Sequence, residues 1–74
     1  MREKELKEIL LRENEEFKEL YGRHQECEKK LKEYQNKTYL TEQEKLEEKI
    51  LKKEKLALKD KMYYLMNEYK KSHG

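Results

Sequence analysis

The sequence predicts an all-α protein, an antiparallel two-helix hairpin of coiled-coil type that self-associates into a bundle. Three observations carry this expectation: apolar residues recur at steps of three and four, proline is absent, and glycine occurs only twice. Spacing of three and four puts side chains on one helical face, and helix interiors exclude Pro and disfavour Gly. Charged residues make up 49% of the 74 positions and hydrophobic ones 34%. Disordered chains are as polar, but they combine a large net charge with no periodicity, whereas here the net charge is +2 and the apolar positions are periodic.

Helix one is expected over about 3–35. Leu10, Phe17, His24 and Leu31 fall in one core position of a heptad seam, and Leu6, Leu20, Cys27 and Tyr34 fall in the other. Glu13 interrupts the seam, while Ile9, Leu11 and Tyr21 widen it. Pairs such as Glu19/Arg23, Glu26/Lys30 and Glu28/Lys32 lace the outer face at i,i+4, each contributing about 0.2 to 0.5 kcal/mol in an isolated helix. Gly22, in the middle of this helix, reads as a tolerated residue, a soft point or a place where another helix approaches closely.

A turn is expected over about 36–41. Asn36 suits a helix C-terminus, and Thr41 with Glu44 makes a T-x-x-E capping box that starts the next helix. Helix two then covers about 42–71. Two helices of similar length joined by a short link pack side by side, so the chain is expected to be a single domain over 1–74. Folding it between Thr38 and Tyr39 sets Leu31 near Leu46, Cys27 near Ile50 and Leu20 near Ala57.

Helix two has more apolar surface than one seam uses. Leu46, Ile50, Ala57 and Tyr64 form a stripe assigned to helix one; Leu51, Leu58, Met62, Leu65 and Tyr69 form another about 100° round the axis. The second stripe is the predicted interaction surface. Another copy of the chain is its expected occupant, giving a dimer or tetramer, with a different helical protein as the other candidate.

Chemistry-bearing groups are sparse. His24 and Cys27 share a helical face at a spacing compatible with two metal ligands, but both lie on the seam, so packing is the reading adopted. No catalytic, metal or cofactor-binding residue is assigned, and the chain is expected not to be an enzyme. Lys49, Lys52, Lys53, Lys55 and Lys59, with Lys61, face only Glu54 and Asp60 in that segment, a local charge of +4. These lysines are the candidate phosphate contacts of the alternative reading, a nucleic-acid-associated protein. The lone Cys27, the charged start and the lack of a long apolar run lead to the expectation of a cytoplasmic protein outside the membrane.

The stretch Asn14-Glu-Glu-Phe17 with Leu20 and His24, followed by the run from Leu51 to Met62, resembles the YdcH-like family of short bacterial proteins of unknown function. The resemblance covers residues 13 to about 65 and departs from the family pattern at Glu16, Cys27 and Lys61. It implies a helical hairpin and carries no activity with it. The reading as a whole is a non-enzymatic protein–protein interaction or scaffold module acting through coiled-coil packing.

Overall fold

A computed structural model of the protein describes residues 2–73; Met1 and Gly74, the ends of the expected 1–74 domain, lie outside the described residues. Those residues form three helices and no strand: α1 (Glu3–Glu13), α2 (Glu15–Gln35) and α3 (Glu42–His73). The all-α class holds. The two-helix expectation does not, because the predicted first helix is broken at a single residue, Asn14.

Asn14 has extended backbone angles, φ −116° and ψ 110°, and serves two helices at once. Its N–H donates to the Leu10 carbonyl at 2.8 Å and closes α1. Its side-chain Oδ1 accepts from the Phe17 N–H at 3.0 Å and opens α2. A cap of this kind contributes about 1 kcal/mol. Glu15 and Glu16 in the first turn of α2 add favourable charge at the positive end of the helix dipole.

The break reverses the chain. In a straight helix Lys7 would stand about 25 Å from His24 at 1.5 Å per residue. Instead Glu3 and Lys7 line the same cavity as His24, Gln25 and Glu28, so α1 turns back along α2. There it lays Leu6 and Leu10 into the core, both fully buried.

At the other end, α2 runs to Gln35 and is capped at Asn36: the Asn36 N–H donates to the Lys32 carbonyl at 3.0 Å and the following Lys37 N–H donates to the Tyr34 carbonyl at 3.2 Å. Thr41 and Glu44 make the expected reciprocal pair. The Glu44 N–H donates to Thr41 Oγ1 and the Thr41 N–H to Glu44 Oε1, both at 3.1 Å. Between α2 and α3 the Tyr34 hydroxyl donates to Glu47, Lys37 pairs with Glu44, and Lys55 pairs with Glu28 at 3.3 Å. Residues early in α3 thus meet residues late in α2, which sets the two helices antiparallel. The pairing is offset from the expected one: Glu28 meets Lys55, where a fold between Thr38 and Tyr39 would put it near Lys49.

The core is one layer thick. Leu6 and Leu10 of α1, Phe17, Leu20 and Cys27 of α2, and Leu58, Met62 and Met66 of α3 form one buried cluster, with Leu31 buried nearer the turn. Each fully buried apolar side chain of this size contributes about 1.5 to 3 kcal/mol.

Gly22 lies on the exposed side of α2, and a Cβ built there meets nothing within 4 Å. No helix of this chain needs the missing side chain. Gly22→Ala should therefore raise the unfolding free energy by about 1 kcal/mol, the helix-propensity difference, in urea titrations at one fixed protein concentration. A loss of stability would show instead that another molecule closes on Gly22.

Candidate functional site

The two apolar stripes of α3 exchange the roles expected of them. Leu58 and Met62 are buried against α1 and α2, and Leu51, Leu65 and Tyr69 pack on the same cluster half-buried. The predicted interaction surface is thus the intramolecular one. Leu46, Ile50, Ala57 and Tyr64, assigned to helix one from sequence, face solvent. The reason is the offset in pairing. With Tyr34 on Glu47 and Lys37 on Glu44, α3 is rolled so that its Leu51/Leu58/Met62 side meets Phe17 and Leu20. Leu56 and Tyr63, about two helical turns apart and next in sequence to Ala57 and Tyr64 respectively, add exposed apolar surface beside that face. Met66, buried beneath α1, was not singled out from sequence. The signal was present, since it follows Met62 by four residues and continues its stripe.

The lysines of the predicted phosphate-binding stripe divide. Lys52 pairs with Glu48 at 3.7 Å on its own helix, and Lys55 reaches across to Glu28. Lys49, Lys53 and Lys59 are exposed, and no ion pair involves them among the described residues.

His24 and Cys27 enter different surroundings. Cys27 is buried, and burial pushes its thiol up, with Glu54 adding to the effect. The Tyr34 hydroxyl is pushed up to about 12, chiefly by its hydrogen bond to Glu47. Glu44 is held below the usual carboxylate range by Lys37 first and then by the Thr41 N–H.

His24 is half-buried beside a cavity of about 170 Å³ between the three helices, whose walls include Lys7, Tyr21, Lys59 and Met62. Its Nε2 is buried with no hydrogen-bond partner among the described residues. The lysines that face it are Lys55, Lys59 and Lys7. No three side chains among His, Cys, Asp and Glu come together as metal ligands among the described residues. No helix among those residues is long and apolar enough to cross a membrane.

Burial lowers the His24 pKa from its ordinary 6.5, and the three lysines reinforce burial against the opposing Glu28. The unfolded chain thus takes up the proton more readily than the folded one. Stability conferred by the neutral ring is fully present above pH 6.5 and is lost as the pH falls below it toward the folded-state value. His24→Leu should raise the melting temperature and flatten its fall between about pH 6.5 and 5, in thermal melts of both proteins across that window. Parallel slopes for the two proteins would remove His24 from the pH response.

The buried residues of α2 and α3, from Phe17 to Met66, span the limits of a family match that leaves out α1 and the Asn14 cap. No curated protein and no solved structure matches the chain. Residues 17–66 match the model of the family described as Protein of unknown function (DUF465), consistent with the YdcH-like resemblance. Since that match takes in well over half of the 74 residues, the chain belongs to the DUF465 family.

Proposed function

We propose that this protein is a non-enzymatic protein–protein interaction module that works by assembling with copies of itself through the exposed apolar face of α3. The observation that carries the reading is the exposure of Leu46, Ile50 and Tyr64, at 60%, 55% and 64%, along one side of a single long helix. The three lie within about 40° of one another around the axis at 100° per residue, as the seam of a coiled coil requires. An apolar row of this kind on a half-charged chain is the feature by which helices find partners, and an identical helix presents the matching row. The assembly is a dimer or tetramer. A different protein with an amphipathic helix is the other occupant that the same face admits.

Sedimentation equilibrium at micromolar concentration should give a mass above the 9.3 kDa of one chain. The double variant Ile50→Lys, Tyr64→Lys should sediment as a monomer with its helical circular dichroism retained. A wild-type monomer with full helicity would sink the proposal.

The second reading is nucleic-acid association through the lysine stripe, supported by the exposure of Lys49, Lys53 and Lys59 without ion pairs among the described residues. It requires binding to a labelled duplex at about 50 mM salt that falls steeply as salt rises, because neutralised phosphates release counterions. A flat titration at that salt removes it.

A further inference from the structure

The groove that α1 fills is closed by a segment joined to the rest of the protein through one non-helical residue. We infer that Asn14 is a hinge through which two copies of the chain exchange their α1 helices, each α1 seating Leu6 and Leu10 on the Phe17, Met62 and Met66 surface of the other copy.

The fit of α1 to that surface is already present within one chain, where Leu6 and Leu10 are buried in the cluster with Phe17, Met62 and Met66. A second copy offers the same contacts in the same geometry, so exchange needs no new interface. What changes is the hinge. Asn14 is the only residue between Glu3 and Gln35 outside a helix, and no proline or glycine lies within seven residues of it. Its extended backbone is held by the cap to the Phe17 N–H. If Asn14 takes helical angles, α1 and α2 become one helix. Leu6 and Leu10 then fall in the heptad register of Phe17, Leu20 and Leu31, displaced from Met62 and Met66. Both halves of the parted contact are apolar, and a second chain opened in the same way covers both. The intrachain contact has the advantage of high effective concentration, so exchange grows with protein concentration or with any change that favours a helical Asn14. This inference goes beyond assembly through the α3 face and does not depend on it.

Two substitutions push the hinge in opposite directions. Asn14→Leu removes the cap and supplies a strong helix former. Glu15→Pro suits the closed form, since the first position of a helix needs no N–H donor and the residue before proline prefers the extended angles Asn14 already has. In a continuous helix the same proline removes a hydrogen bond and clashes with the preceding turn. Spin labels on Lys4→Cys and Lys29→Cys, in a Cys27→Ala background, read the hinge within one chain when labelled protein is refolded with excess unlabelled protein. A straight helix separates the two sites by about 37 Å, whereas the folded-back form brings them under about 20 Å.

The expected result is a dimeric Asn14→Leu protein with the long intrachain distance. The wild type should show a long-distance fraction that rises with concentration, and Glu15→Pro should abolish it. A dimer of Asn14→Leu that keeps the short distance overturns the exchange and leaves assembly through the α3 face standing. A long distance in a monomer, meaning that α1 only swings free, also overturns it. Should Asn14→Leu lose its helical circular dichroism, the wild type against Glu15→Pro decides the matter, and a long-distance fraction that is absent from both or equal in both overturns the proposal.

Discussion

Phe17 joins the two levels on which this fold is specified. Its backbone N–H is the donor that Asn14 caps, and its ring is wholly buried in the cluster shared by all three helices. Local backbone geometry and tertiary packing are therefore fixed at the same residue. A single layer of apolar side chains cannot spare such a residue: in a chain this short, only about 60 to 65% of the unfolded surface is hidden on folding. The cap fixes where α2 begins, the ring fixes which side of α2 faces α3, and the reversal at Asn14 brings Leu6 and Leu10 back over it.

The charged half of the sequence contributes less to holding the helices together than its abundance suggests. The ion pairs at i,i+3, Lys45 with Glu42 and Lys71 with Glu68, are exposed, and pairs of that kind are each worth from nothing to about 1 kcal/mol. The cross-helix pairs matter for position. Lys37 with Glu44, Tyr34 with Glu47 and Lys55 with Glu28 set the stagger of α3 against α2, and the stagger decides which stripe is inside. Polar contacts here accompany the stagger at the periphery, while the buried side of α3 carries the apolar cluster of Leu58, Met62 and Met66.

That division explains what was legible in the residues. Heptad spacing identified eight inward-facing positions; Leu6, Leu10, Phe17, Leu20, Cys27 and Leu31 are buried, while His24 and Tyr34 are half-buried. The Thr41 and Glu44 pair marked the start of α3, because a capping box is a local motif that needs no tertiary information. The break at Asn14 was partly legible: Glu13 interrupted the seam there, and Asn followed by two acidic residues is a helix-start signature. Helix propensity on both sides masked it, and a break of one residue leaves no loop composition to read. The assignment of the α3 stripes failed for a different reason. Two apolar stripes on one helix are equivalent to a periodicity argument, and which one is inside depends on tertiary packing, with contacts between residues 7 to 27 apart in sequence. The unpartnered Nε2 of His24 was likewise out of reach, since it depends on α1 folding back to close the cavity beside it.

The chain's only cysteine sits within this layer, and its placement gives the protein an internal clock. Cys27 is buried and its thiol is held protonated, so an alkylating reagent meets a reactive thiolate only in states where the helices have parted around it. With reagent in the regime where closing outpaces reaction, the alkylation rate relative to that of a free thiol measures the opening equilibrium at one known point of the core. Conditions or ligands that tighten the bundle then appear as slower labelling of a single, naturally occurring atom.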